Sequence, residues 1–284
     1  MNANAIKLRT IFMGTSEFAS EILNSLINAN YNIVSVYTQP DKSVGRDQET
    51  RKSAVKILAE KMKIAVYQPS KMDQEVIKEI RAQKPDLMIL AAYGKIIPKS
   101  ILDIPGFGAI NAHASILPKF RGPSPIQNAI LSGEKVTGIT LILMNEKIDA
   151  GDILSQKEIA INKNQTTPEL SKELSRMASE LLIETIPLLV KKKIVPQKQD
   201  HAMATFCQLI EKSDGKIFWT DEAETIYNKF RAFLPWPGTF TYFENDGSAR
   251  RLKLNKINYI INNPEVRHHI GEAFGIGEKI GVQT

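Results

Sequence analysis

Three side chains in this sequence have the types and the spacing to do chemistry. Asn111 and His113 stand two apart in the run Asn111-Ala112-His113-Ala114-Ser115-Ile116-Leu117-Pro118-Lys119-Phe120-Arg121-Gly122, and Asp149 opens Asp149-Ala150-Gly151-Asp152. An amide and an imidazole can donate to a developing oxyanion, and a carboxylate can steady the imidazole, a set that suits acyl transfer to an amine. The preceding Gly108-Ala109-Ile110 reads as the end of a short buried strand. Residues 111 and 113 then project from one side of its carboxyl end, the edge at which open α/β sheets bind ligands. A plainer reading is also open: strand-end residues satisfying loop backbone, and Asp149 starting an ordinary Asp-x-Gly turn.

Positioning such a set needs a sheet. Apolar runs at Thr10–Met13, Ile33–Tyr37, Leu87–Ala91 and Ala109–Asn111 alternate with helical patterns at Phe18–Asn28, Ala54–Lys63 and Gln74–Gln83, which predicts an α/β fold with a mostly parallel sheet and crossover helices. Ser16 is placed to cap the first helix with Glu17 in its first turn, and Pro85 ends the third. Pro125–Leu131 reads as a short helix, and Val136–Met144 and Ile153–Ala160 as a strand pair whose connection carries Asp149. A long amphipathic stretch, Thr167–Leu189, covers the sheet, with Pro187 and Pro196 marking its exit. The polar run after it is taken as a linker over residues 191–203, dividing a catalytic domain (1–190) from a smaller one (204–284). In the latter, strand candidates such as Phe240–Phe243 and Leu252–Ile257 and the turn Asn245-Asp246-Gly247 predict a small β-barrel.

With 284 residues, 43% of them hydrophobic, the chain can bury two cores. The net charge of +6 is compatible with a polyanionic partner and with many ordinary enzymes. Cys207 is the single cysteine, so no intramolecular disulfide forms; without Cys or His at ligand spacing it reads as a small buried residue. His268 and His269 lack a third ligand and read as surface, so no metal is expected. Residues 1–10 carry neither a secretion nor a transit pattern, and no apolar run approaches the ~20 residues of a membrane span. A cytoplasmic location with no membrane contact is the expectation. Gly14-Thr15-Ser16 is not the dinucleotide fingerprint Gly-x-Gly-x-x-Gly, and Ser115 lacks the Gly-x-Ser-x-Gly elbow, which disfavours a nicotinamide dehydrogenase and a serine hydrolase.

The run from Asn111 to Gly122 followed by Asp149-Ala150-Gly151 resembles the folate-dependent formyltransferases, whose pattern is Asn-x-His-x-Ser-Leu-Leu-Pro-x-x-Arg-Gly and then Asp-x-Gly. Residues 8–240 are similar to the branch that acts on initiator tRNA, through Met13-Gly14-Thr15-Ser16-Glu17-Phe18, Thr38-Gln39-Pro40-Asp41, Ala92-Tyr93-Gly94-Lys95-Ile96-Ile97-Pro98, Pro125-Ile126-Gln127 and Arg231-Ala232-Phe233-Leu234-Pro235-Trp236-Pro237. Their order and spacing together are specific. The resemblance implies a Rossmann-like formyltransferase domain followed by an OB-like tRNA-binding barrel that is incomplete at Thr284. It also implies 10-formyltetrahydrofolate as co-substrate, initiator Met-tRNA as acceptor, and a monomer. Asn111, His113 and Asp149 become the catalytic set, and Ser115, Ile116, Leu117 and Pro118 the folate-contacting segment, with the pteridine near Ala91-Ala92-Tyr93-Gly94. In the family the long loop from Gln39 to Ser53 reaches the tRNA acceptor stem, making Arg46, with Lys42, the candidate RNA contacts; Asp47 and Glu49 make it less basic here. Arg121 either orients an anion or is a solvated charge. A sugar-nucleotide N-formyltransferase or a non-catalytic RNA-binding descendant are the alternatives, and the second domain with its Arg231–Pro237 segment weighs toward tRNA.

Overall fold

The computed structural model describes residues 7–44, 49–245, 247–260, 268–277 and 279–284. In chain order the first elements are β1 (Thr10–Gly14), α1 (Glu17–Asn28), β2 (Ile33–Tyr37), β3 (Lys42–Val44), β4 (Glu49–Arg51), α2 (Ala54–Lys61), β5 (Ala65–Tyr67), α3 (Gln74–Ala82), β6 (Leu87–Ala91), α4 (Lys99–Leu102) and β7 (Ala109–His113). They are followed by α5 (Pro125–Leu131), β8 (Val136–Leu143), β9 (Asp152–Ala160), α6 (Thr167–Val190), α7 (Ala223–Ala232), β10 (Thr239–Asn245), β11 (Ser248–Leu254), β12 (Ala273–Ile276) and β13 (Lys279–Val282).

Seven strands form one sheet in the order β5-β2-β1-β6-β7-β8-β9. The pairs β5–β2, β2–β1, β1–β6 and β6–β7 are parallel, whereas β8 runs antiparallel to β7. Every residue of β1 and of β6 is buried, as uninterrupted apolar strands in a parallel sheet covered on both faces should be. On one face Ile11, Met13, Tyr37, Met88 and Leu90 pack in a core with Val76, Ile77 and Ile80 of α3 and Ile101 and Leu102 of α4. The two-residue alternation turns Phe12 and Ile89 to the other face. Helix α1 lies against β1 and β6 and buries Phe18, Ala19, Ile22, Leu23 and Leu26. Leu170, Leu174, Met177, Ala178, Leu181, Leu182 and Ile186 form the buried stripe of α6.

The boundaries follow local chemistry. Ser16 and Ser53 accept backbone N–H groups at the starts of α1 and α2, and Asp73 does so for α3. Helix α3 ends three residues before Pro85, with Lys84 in the left-handed region at φ 47°. β7 runs two residues further than its apolar run predicts, so that Asn111 and His113 are both in the strand. The stretch Gln39–Ser53, expected as open loop, carries the antiparallel pair β3–β4, with Lys42 opposite Arg51. β5 and α7 have no counterpart in the sequence expectations.

Contacts group the chain into two units. One comprises Met1–Pro123, Thr137–Ile159 and Ser171–Cys207, and holds the sheet; the other comprises Ser124–Val136, Ala160–Leu170 and Gln208–Thr284. In the second unit α5 packs on α7, the Thr167 hydroxyl donates to Ala232 O at 2.6 Å, and the buried Arg231 guanidinium donates to Gln165 O at 3.1 Å. Its β structure, among the described residues, is two separate antiparallel ladders, β10–β11 and β12–β13. Asn245 pairs with Ser248 across the predicted turn; Asp246 lies outside the described residues.

Candidate active site

The site lies in the sheet-bearing unit, at the carboxyl end of β7. Asn111 and His113 project from one face of the strand, and both reach the same carboxylate. Asn111 Nδ2 donates to Asp149 Oδ1 at 3.1 Å, and His113 Nδ1 stands 3.5 Å from Asp149 Oδ2. The other ring nitrogen, Nε2, is 2.8 Å from the carbonyl oxygen of Phe120, so an acceptor faces each edge of the imidazole. Gly122 N donates to Asp149 Oδ2 at 2.8 Å. The His113 side chain is 6% exposed and that of Asp149 12%, which keeps these contacts away from competing water.

Asp149 is aimed by its backbone. It sits between β8 and β9 at φ 46°, left-handed geometry that Asp tolerates better than most side chains. Two residues on, a Cβ at Gly151 would lie 2.0 Å from Leu143 O, so only glycine lets the turn press onto the end of β8. Phe120, at φ 60°, is likewise left-handed, and its carbonyl is thereby turned to the imidazole.

The segment Ser115–Pro118 is braced from below. Thr140 Oγ1 donates to Ser115 O at 2.6 Å and accepts from Leu117 N at 3.1 Å, and Gln156 Nε2 donates to Leu117 O at 2.9 Å. Ser115 is fully buried and its hydroxyl donates to Lys119 O at 2.7 Å, while Leu117 is buried as well. Only Ile116 and Pro118 keep half-buried side chains with surface for a ligand.

Arg121 is not a solvated charge. It is 4% exposed, and Nε and Nη2 both donate to Gln199 Oε1, at 3.2 and 2.6 Å, with Nη2 also 2.9 Å from His201 Nδ1. Gln199 Nε2 in turn donates to Asp149 O at 2.9 Å and Gly151 O at 2.7 Å. Sequence reasoning missed Gln199 and His201, which lie in the polar run taken as a linker; no spacing or composition signal marks them. In that run Gln197 also bridges to Ile153 of β9, N to O in both directions, at 2.8 and 2.7 Å.

The neighbouring strand ends are tied to one another by the other motif residues. Thr15 Oγ1 donates to Tyr93 O at 3.0 Å, and Gln39 Nε2 to Tyr93 O at 3.1 Å and Gly94 O at 2.9 Å, joining the loops after β1, β2 and β6. Asp41 is bound by Lys56 Nζ at 2.6 Å and Gln68 Nε2 at 2.8 Å, and these donors, Lys56 first, hold its carboxyl below the usual range. Beyond this turn Ser70, Lys71, Met72, Lys95, Ile96 and Pro98 line an open cleft of about 450 Å³. Lys42 is exposed on β3, and Arg46 lies outside the described residues. Burial, with Asp149 nearby, pushes the Cys207 thiol up to about 12. Among the described residues no group of three His, Cys, Asp or Glu side chains could hold a metal, and no helix is long and apolar enough to cross a membrane.

Comparison with known proteins gives the family of the chain. The family model described as Formyl transferase matches residues 7–186, and that described as Formyl transferase, C-terminal domain, matches 209–284. A methionyl-tRNA formyltransferase of Geobacillus sp. (strain WCH70) is 47% identical over 237 residues, 83% of this chain and 74% of that protein. One from Geotalea uraniireducens is 42% identical over 251 residues, 88% of this chain and 79% of that protein. Among solved structures, the N-formyltransferase of Helicobacter canadensis, in complex with folinic acid and dTDP-3-aminofucose, is similar with a TM-score of 0.68 at 19% identity, covering 97% of this chain and 95% of that one. HypX of Aquifex aeolicus is similar with a TM-score of 0.67 at 18% identity, covering 98% of this chain and 44% of that one. At such identities the two structures speak for the fold alone.

Proposed function

The chain belongs to the formyl transferase family, and on that premise we propose that it transfers the formyl group of 10-formyltetrahydrofolate to the α-amino group of methionyl initiator tRNA. The observation that carries this reading is the convergence of Asn111 and His113 on one Asp149 carboxylate at a strand's carboxyl end. The relatives' sequences favour tRNA as the acceptor, at 41–47% identity over most of the chain.

The chemistry follows from these groups. The acceptor must be uncharged to attack, and a model α-amino group, with a pKa of ~7.7–8.0, is in useful part neutral near pH 7.5 without a dedicated base. As the nitrogen bonds to the formyl carbon, negative charge moves to the formyl oxygen, where Asn111 Nδ2 and a ring N–H of His113 are the donors at hand. The Nε2 hydrogen, shared with Phe120 O before substrate binds, is the one recruited, while Nδ1 stays on Asp149. His113 then gives its Nε2 proton to the departing N10 as the carbon–N10 bond breaks, and the ring nitrogen so vacated takes up the excess proton of the new ammonium. The carbonyl re-forms, leaving formylated methionyl-tRNA and tetrahydrofolate. Asp149 balances the imidazole's charge and holds the Asn111 amide.

For the folate, the half-buried Ile116 and Pro118 offer apolar surface, and the small residues Ala92 and Gly94 let a flat ring approach a backbone already tied by Gln39. These residues fit such a ligand. Ser115 and Leu117 act from beneath, as the bracing of that loop. We assign transfer to residues 1–190, linkage to 191–203, a run whose Gln197 and Gln199 also brace the transfer site, and tRNA binding to 204–284, with Lys42 and Arg46 meeting acceptor-stem phosphates, in a cytoplasmic monomer.

The test incubates purified protein and 10-formyltetrahydrofolate with methionyl initiator tRNA or with amino-sugar nucleotides. Formyl-methionine on the tRNA is expected. Formylation of the sugar alone, or RNA binding without transfer, overturns the proposal.

A further inference from the structure

Asp149 is gripped from two sides, and only one grip is on its carboxylate. The other is on its backbone, through a residue that neither the motif nor the family match singles out. We infer that Gln199 is a positioning residue for the transfer reaction, holding the left-handed Asp149 turn so that its carboxylate faces Asn111 and His113. This inference rests on the proposed formyl transfer.

Gln199 is 6% exposed, and both N–H groups of its amide are spent on the turn. Its two N–H bonds straddle the turn, one on Asp149 O and one on Gly151 O. Its oxygen accepts twice from Arg121. A guanidinium has donors only, and the two carbonyls are acceptors only, so a flipped amide would set donor against donor and acceptor against acceptor. The orientation is therefore dictated by chemistry. Arg121 is followed by Gly122, whose N–H holds Asp149 Oδ2. Arg121, Gly122, Gln199 and Asp149 thus close a ring of hydrogen bonds around a backbone conformation that is strained for a residue other than glycine, even for Asp. Gln199 itself is placed by the backbone pairing of Gln197 with Ile153 of β9. Losing the amide frees the turn to relax toward ordinary φ, which swings the carboxylate off both catalytic groups.

Two variants separate positioning from mere stability. Gln199→Glu keeps acceptors for Arg121 but has no donor for the two carbonyls, and Gln199→Met removes both. Each is expected to lower kcat about 10- to 100-fold, the scale on which outer hydrogen-bond partners of metal ligands act. KM for tRNA and for the formyl donor should stay within about threefold. Because the effect runs through Asp149, Gln199→Met should cost less than about twofold more when added to Asp149→Asn, a non-additivity that coupled neighbours show. The ring NMR resonances of His113 give a readout independent of turnover: their chemical shifts should move in both Gln199 variants. Wild-type kcat in both variants overturns the inference, as do losses that add fully to Asp149→Asn or unmoved His113 ring resonances. If the wild-type protein transfers no formyl group to tRNA while the His113 ring resonances still respond to Gln199, the functional proposal fails and the positioning does not.

Discussion

Replacing Asp149 by Asn tests the centre of the site with the smallest change in shape. The carboxylate accepts from Asn111 Nδ2 at 3.1 Å through one oxygen and from Gly122 N at 2.8 Å through the other, which also faces His113 Nδ1 at 3.5 Å. An amide has one oxygen. If it stays on Gly122 N and His113, the new NH2 group meets the Asn111 NH2, and Asn111 must turn its own oxygen inward, taking its donor away from the substrate. In the opposite orientation the new NH2 meets Gly122 N and His113 instead. Loss of one oxyanion donor costs on the order of 10²–10³ in turnover, and loss of the carboxylate that orients a catalytic imidazole costs about 10⁴ where it has been measured in a serine protease. We therefore expect kcat to fall by roughly 10²–10⁴. Hydrogen bonds to a charged group contribute about 1.5–3 kcal/mol and neutral ones about 0.5–1.5. With one of the two lost and one weakened, stability should fall by roughly 2.5–4.5 kcal/mol. Single-turnover formylation of methionyl-tRNA reads the first quantity and urea unfolding the second. A kcat within threefold of wild type in a folded variant would refute the assignment of Asp149.

Other outcomes follow from the same geometry. Gly151→Ala puts a Cβ 2.0 Å from Leu143 O; the turn must shift, and an overpacking cost of roughly 1–3 kcal/mol should appear in urea unfolding with a loss of kcat, neither being seen if the turn is free to move. Cys207 is 7% exposed with its thiol raised to about 12, and a raised thiol pKa keeps the group protonated below that value. At pH 8 the native protein should react with iodoacetamide at least about 100-fold more slowly than the urea-unfolded chain, and equal rates would contradict the burial. Lys42→Ala and Arg46→Ala should each raise KM for tRNA and lower the slope of log affinity against log salt by about 1. An unchanged slope would remove that loop from the RNA interface.

Much of this protein is legible in its residues alone. Apolar runs too short for helices and bounded by turns are strands wherever they are meant to be buried on both faces, so β1, β6 and β7 follow from Thr10–Met13, Leu87–Ala91 and Ala109–Asn111. The two-residue spacing of Asn111 and His113 places them on one face whatever surrounds the strand. β5 carries no such signal, because one exposed and two half-buried residues leave no periodicity to read. Tertiary structure alone decided how the carboxylate is aimed. Asp149 meets its partners from a left-handed turn, held by an amide 50 residues further along the chain in a run that composition marks only as polar. Burial writes itself into sequence because it repeats along an element. A hydrogen bond between two irregular segments involves one residue from each, and which pair meets is settled only when the chain has folded.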